Sequence, residues 1–313
     1  MATFNGAEYI LEQLESILNQ QRQPDELVVC DDGSTDSTLE LLESFSQVAP
    51  FPVHVYRNET NVGYTKNFEK AFLHCSGDVI FLSDQDDKWL PSKVGVVEEA
   101  FLANPDKLLI IHDGEIVDEG LVSHGATKLS QVMSGYGTDD HFVTGGLTAI
   151  SRNLQPYILP VPEGIVGHDG WFHNVARLLD TRLVLDQSLQ LIRRHNSNTS
   201  SWVASSVERI GKMDVVKSQY QTAPAKEYED RLLINDASQI RLRMALNGNN
   251  LFSQGCIEKG LDYLRSEHAA LCSRNNLPKL DGPKRKIAAL QLLVRGEYRF
   301  FNGYRSFLRD ILR

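Results

Sequence analysis

Two four-residue apolar runs, 27–30 (LVVC) and 79–82 (VIFL), each break off into a cluster of carboxylates. Runs this short and continuous read as strands buried on both faces. Asp31 and Asp32 follow the first run; Asp84, Asp86 and Asp87 follow the second. In an open α/β sheet the carboxyl ends of the strands form the ligand edge. Side chains two apart on extended chain point the same way, so Asp84 and Asp86 can share one target. Anions held that close need a positive partner. The oxygen donors suit a hard divalent cation, Mg²⁺ or Mn²⁺. For D-x-D alone, a solvated acidic turn is the plain alternative. Two acidic strand ends in one sheet favour a shared ligand, because packing requires no carboxylates there.

The surrounding pattern alternates strand and helix. Ile10, Leu14, Ile17 and Leu18 line one face of a helix expected to run to about Gln20, with Asn5 and Glu8 at capping-box spacing before it. Ser34, Thr35 and Asp36 can cap a second helix. A third extended run covers 53–56, a polar loop covers 58–64, and a helix follows Pro91. Further strands are expected at 108–111, 142–150, 183–185 and 189–192, and a helix from His168 to Leu179. Beyond the polar run 197–201 the chain reads as helical. The expected fold is α/β, a mostly parallel sheet flanked by helices. The expected domains are a catalytic domain over 1–200 and a helical region over 201–313. The turn at Ala2–Gly6 resembles one that follows a strand, yet no strand precedes it. A first strand is therefore expected to be missing, and a chain starting at Met1 is expected to fold poorly.

Of 313 residues, 42% are hydrophobic and 23% charged, the balance of a globular protein. Four widely spaced cysteines with no C-x-x-C argue against a disulfide framework or a zinc site and fit a reducing, cytoplasmic compartment. No apolar run reaches the length of a membrane span. The net charge is −9, but residues 284–313 hold eight basic and two acidic residues, a net +6 that leaves −15 on the remainder. A basic, aromatic-rich segment on an acidic body suits either peripheral contact with a membrane or a helix packed back with a solvated basic face. Nucleic acid is not an expected partner.

The strings A-T-F-N-G-A-E-Y-I (2–10), D-D-G-S-T-D-S-T (31–38), N-V-G-Y (61–64) and S-D-Q-D-D-K-W (83–89) are similar to those of family 2 glycosyltransferases of GT-A fold. With H-D-G-W (168–171) and R-x-H-x-x-N (193–198), the chain resembles the rhamnosyltransferase-type branch that builds bacterial surface polysaccharides. The likeness covers about residues 1–200. It implies an inverting transfer from a dTDP-, UDP- or GDP-sugar to a glycan or lipid-linked acceptor. It implies donor contacts at Thr3, Asn5, Asp31, Asp32, Asn61, Gly63 and Asp84, metal contacts at Asp86 with Asp87 in support, and diphosphate or acceptor contacts at Arg194 and His195. Asp169 corresponds to the catalytic base. Such a base is needed because an acceptor hydroxyl is a poor nucleophile at neutral pH.

Several residues keep a second reading. Asp169 could serve only to cap its helix. His168 reads as a structural neighbour. Trp89 and Trp171 are either core aromatics or a wall beside a sugar ring. Gly145 and Gly146 either admit an acceptor close to the backbone or mark a bulge. A catalytically inactive binding protein is the alternative function. A nucleotidyltransferase is a weaker one, since the Gly-rich phosphate loop expected near its N-terminus does not appear.

Overall fold

The computed structural model describes residues 1–196, 198, 203–219, 224–248, 251–301 and 303–312. It divides into two units, Met1–Val161 with Val166–Gln221, and Pro162–Ile165 with Thr222–Arg313. The boundary expected at 200 falls within the first. The polar run 197–201, apart from Asn198, lies outside the described residues.

The first unit opens with β1 (Ala2–Thr3), α1 (Ile10–Leu18), β2 (Leu27–Asp31), α2 (Thr38–Ser46) and β3 (Val53–Arg57). The strands form a parallel sheet in the order β1-β2-β3. All five residues of β2 are buried, as its unbroken apolar run requires. Ile10, Leu14 and Ile17 pack with Leu42, Phe45 and Phe51 over Leu27 and Val29. The expected capping box is not formed: Tyr9 occupies the N-cap, and Asn5 takes a left-handed conformation (φ 48°) in the preceding turn. A short first strand is present. Ala2 and Thr3 pair with Cys30 and Asp31, and the Ala2 amide reaches Ser83 O at 3.3 Å.

Next come α3 (Tyr64–His74), β4 (Val79–Phe81), β5 (Lys88–Trp89), α4 (Lys93–Ala103), β6 (Leu109–Val117), β7 (Ser123–Thr127), α5 (Lys128–Tyr136), β8 (Thr148–Ser151), α6 (Gln155–Ile158), α7 (His168–Leu178), β9 (Arg182–Arg193) and α8 (Lys212–Gln219). The second sheet runs β4-β8-β6-β9-β5, with β7 on β6. It is mixed. β6 and β9 are parallel, while β8 lies antiparallel to β4 and β6, and β5 antiparallel to β9. The run 142–150 is a strand only from Thr148, because Gly145–Leu147 turns as a 3₁₀ helix. The two short strands expected at 183–192 are one twelve-residue strand, irregular opposite His112–Glu115. Its length matters: β9 carries Gln190, Arg193, Arg194 and His195 to the acids that follow β4.

The second unit holds α9 (Pro224–Asn247), α10 (Gln254–Asn275), α11 (Gly282–Val294) and α12 (Tyr304–Leu312). Leu277, Ala289, Leu292, Tyr298 and Phe307 form its core beside a buried Arg274, which pairs with Asp310 at 2.7 Å and stacks on Phe301. Among the described residues no helix is long and apolar enough to cross a membrane.

Candidate active site

The acids after β4 gather at the mouth of the second sheet. Asp87 is buried and accepts from Gln190 Nε2 at 2.5 Å and from the Arg193 amide at 3.1 Å. Asp86 Oδ2 accepts from Asn198 Nδ2 at 3.1 Å and lies 2.8 Å from His195 Nε2. The His195 ring stacks on Tyr9 at 4.5 Å. Arg193 fixes this corner from below: it donates to the Asp86 carbonyl at 2.9 Å and pairs with Glu12. The Asp84 carboxylate accepts no hydrogen bond among the described residues. A Cβ placed on Gly146 would stand 2.8 Å from Asp84 Oδ2 and 3.1 Å from Asp87 Oδ2. The absent side chain of Gly146 is thus what lets the two carboxylates approach.

Beneath them Lys93 is fully buried at the start of α4. Its ammonium donates to Gly146 O at 2.9 Å and Gln190 Oε1 at 2.6 Å and sits 3.9 Å from the Trp89 ring centre. Burial drives Lys93 well below the ordinary lysine range, against the pull of Asp87 and Asp84. Burial and then the Asp86 charge hold Asp87 well above the usual carboxylate range, with Asp84 adding to it. Asp84 is pushed up to about 7 by burial, then by Asp86, then by Asp169. The cluster therefore resists full ionisation, and a positive partner would favour its charged carboxylates.

Asp169 lies in the first turn of α7, where Gly167, not Asp169, is the N-cap. Its Oδ1 accepts from the Gly170 amide at 2.8 Å. His168 beside it is buried. Both its ring nitrogens lack a partner among the described residues, and it stacks on Phe68 at 4.1 Å. Burial lowers its pKa, so the ring stays neutral despite Asp169. Gly145 covers it, with His168 Nε2 3.2 Å from where a Cβ would stand.

Two cations face the acids. Burial lowers Arg194, while Asp86 and Asp87 act the other way. Lys128, the first residue of α5, donates to Ser205 Oγ. It is lowered to about 7 by burial and then by Arg194, with Asp169 and Asp87 opposing. Lys128, Lys93, Gln190 and Arg193 were not among the expected site residues. The available signals were Gln190 inside an apolar run and Arg193 at the head of the R-x-H-x-x-N string.

The loops after β1 and β2 are bound to each other. Asp31 accepts from Thr3 Oγ1 (2.9 Å), Ser34 Oγ (2.5 Å) and the amides of Gly33 and Ser34. Asp32 accepts from Asn58 Nδ2 and from the amides of Val62 and Gly63 at 2.8–2.9 Å. Asn5 accepts from the Thr35 amide, and Asn61 from the Gly63 amide. Gly63, at φ 82°, turns the chain into α3. Asp31 and Asp32 thus build these loops with their own carboxylates. Trp171, expected beside an acceptor, lies in the core instead: it is 1% exposed and donates to Ile158 O at 2.7 Å. Trp89 is likewise buried.

Among the described residues no three or more His, Cys, Asp or Glu side chains form a metal cage. Mg²⁺ is commonly held by one or two carboxylates together with substrate phosphates. Asp84, whose carboxylate accepts no hydrogen bond among the described residues and is raised by burial and then by Asp86, and Asp86 beside it fit a hard cation of that kind.

Comparison with known proteins identifies the family. The family described as Glycosyl transferase family 2 matches residues 1–153. The dTDP-rhamnosyl transferase RfbG of Shigella flexneri is 36% identical over 239 residues, 70% of this chain and 80% of that protein. An uncharacterized glycosyltransferase of Nostoc sp., alr2836, is 23% identical over 79% of this chain and 78% of its own length. The crystal structure of S. aureus TarS 1–349 has the same fold, at a TM-score of 0.58 and 16% identity, covering 99% of this chain and 87% of that one. With a relative at that identity matched over most of its length, and with acids, strand edges and opposing helix in one GT-A arrangement, the chain belongs to glycosyltransferase family 2.

Proposed function

We propose that the enzyme moves a sugar, which we take to be rhamnose, from a nucleotide-diphosphate donor to a hydroxyl of a glycan or lipid-linked acceptor, in the synthesis of a bacterial surface polysaccharide. The observation that carries this reading is that two adjacent glycines bring Asp169 and Asp84 to one stretch of backbone: a Cβ on Gly145 would stand 3.8 Å from Asp169 Cβ, and one on Gly146 2.8 Å from Asp84 Oδ2. It sets a proton acceptor opposite a site that demands positive charge. The choice of sugar leans on the likeness to RfbG. The donor is a dTDP-, UDP- or GDP-sugar, of which dTDP is the one named for that relative.

In this reading Asp169 takes the proton of the acceptor hydroxyl as its oxygen bonds to the anomeric carbon. The carbon–phosphate oxygen bond breaks on the opposite face, the electron pair leaves with the nucleoside diphosphate, and the configuration inverts. Arg194, and Lys128 when protonated, supply positive charge toward the diphosphate. Asp84 and Asp86 would hold Mg²⁺ or Mn²⁺, which when bound would offset the charge growing on the leaving group. His195 and Asn198 orient Asp86, and Gln190 and the Arg193 amide orient Asp87. Thr3, Asn5, Asp31, Asp32, Asn61 and Gly63 shape the loops that receive the nucleotide. We assign the acceptor side to Gly145 and Gly146, whose bare backbone lets His168, Asp169 and Asp84 come close. We place the reaction at the cytoplasmic face of the membrane, in keeping with four free cysteines and a basic C-terminal segment.

The test is a panel of nucleotide-sugar donors with Asp169→Asn beside the wild type. Transfer is expected to fall about 10²–10⁴-fold in the variant while donor binding by calorimetry is unchanged. Wild-type turnover in Asp169→Asn would refute the base assignment.

A further inference from the structure

We propose that the outer face of α11, together with that of α12, docks on an anionic membrane surface. This gives residues to the membrane contact suggested above, and its test is independent of the donor assignment. In α11, Ile287, Leu290 and Val294 are 58%, 48% and 87% exposed. At 100° per residue these three and Pro283 fall within an arc of about 60°. The opposite side is the one that packs: Ala289 and Leu292 are buried in the core with Tyr298 and Phe307. Lys286 borders the exposed ridge on one margin, Lys284 and Arg295 on the other. Lys284 pairs with Asp281 at 3.2 Å and Arg295 with Glu297 at 3.8 Å. These cations are largely exposed, so the pairs are weak and leave both free to exchange partners.

α12 repeats the pattern. Tyr304, Leu308 and Leu312 recur every fourth residue at 62%, 40% and 82% exposure, beside Arg305, while Phe307 faces the core. A solvated helix face requires charge, not six protruding apolar side chains. Three features favour a bilayer over a protein partner. The apolar groups stand out as ridges on short helices. Lysines flank the α11 ridge and can lay their stems along an interface while their heads reach the phosphates. The segment is also net +6, a charge matched to an anionic surface, and two copies packed through this same face would set like charges together. With helices of thirteen and nine residues, the segment would lie on the surface and not span it.

The experiment is co-sedimentation of the full chain with phosphatidylcholine vesicles and with phosphatidylcholine–phosphatidylglycerol vesicles at about 7:3. The variants are Ile287→Ser/Leu290→Ser/Val294→Ser and Lys284→Glu/Lys286→Glu, with light scattering in the absence of lipid. All five sites are exposed, and unchanged thermal melting confirms that the fold is kept. The expected result is binding to the anionic vesicles alone, reduced at least about tenfold by either variant, with donor turnover on a water-soluble acceptor unchanged. Failure to bind either vesicle overturns the proposal. So does equal binding to both, or binding that neither variant weakens. A lipid-independent dimer that the triple-serine variant dissociates would replace it with self-association.

Discussion

Substituting Gly146 by alanine tests the geometry of the acid cluster most directly. Gly146 does not occupy the left-handed region, so alanine brings no backbone penalty and the effect is steric. The new Cβ would stand 2.8 Å from Asp84 Oδ2, 3.1 Å from Asp87 Oδ2 and 3.2 Å from Gln190 Nε2. Relief to an ordinary contact of about 3.4 Å asks some 0.6 Å of Asp84 and 0.3 Å of Asp87. Asp87 and Gln190 are bonded to each other, and Gln190 also to Lys93, so Asp84 is the group that yields. Overpacking of this kind costs about 1–3 kcal/mol, a fall of a few degrees in Tm for a domain of this size. A reacting group displaced by 1 Å can cost about 10²-fold, so a shift of half that is expected to lower kcat/KM about tenfold. The assay is nucleoside diphosphate release with saturating acceptor, alongside thermal melting. Gly170→Ala is the control. It lies on exposed helix with open space around it and is expected to be neutral or stabilising by up to about 1 kcal/mol. Unchanged kcat/KM in Gly146→Ala, with stability lowered, would mean that the crowded carboxylates are structural and not the reaction centre.

Two further outcomes follow from the buried lysines. Lys93→Met removes the cation under Asp84 and Asp87 and strands Gly146 O and Gln190 Oε1; a loss of about 3–5 kcal/mol is expected in denaturant unfolding, and a loss under 1 kcal/mol would show that Lys93 does not support the cluster. Lys128 titrates near 7 in the folded protein and near 10.4 unfolded. Between those values the unfolded state holds the extra proton, so this lysine's contribution to stability rises with pH from about 7 to 10 and is at its least favourable below 7. The wild type is therefore expected to gain stability relative to Lys128→Met across that window in paired urea titrations, and a constant difference would refute the buried, shifted lysine.

Much of the site could be read in the sequence because its chemistry is local. Asp84, Asp86 and Asp87 share one turn, and the strand before them delivers them together whatever else the chain does. Asp169 was marked by its own short string. What could not be read were side-chain targets that lie several elements away. Asp31 and Asp32 end a strand, as ligand-binding acids do, and their carboxylates also accept from Thr3, Ser34, Asn58 and the amides of neighbouring loops. Nothing within 27–36 distinguishes a carboxylate that binds a ligand from one that builds the loop which does. Trp171 was decidable in principle: His168, Trp171, Phe172, Val175 and Ala176 recur at helical spacing and are all buried, so the tryptophan belongs to the inner stripe of α7.

Lys93 is the opposite case. It opens α4 at a position where a lysine reads as solvated, and its partners, Gly146 and Gln190, lie 53 and 97 residues on. Carboxylates crowded at a strand end state a demand for positive charge that any reader of the chain can see. How much of that demand the chain meets itself depends on which buried cation the tertiary fold brings underneath. Here Lys93 meets part of it and leaves a remainder; Asp84 is raised to about 7 by burial first and then by Asp86 and Asp169. That remainder is what a cation-bearing diphosphate would fill. If so, the donor complex should stabilise the enzyme more strongly when Asp84 is ionised than when it is protonated. Asp84→Asn should abolish that pH dependence without abolishing the fold.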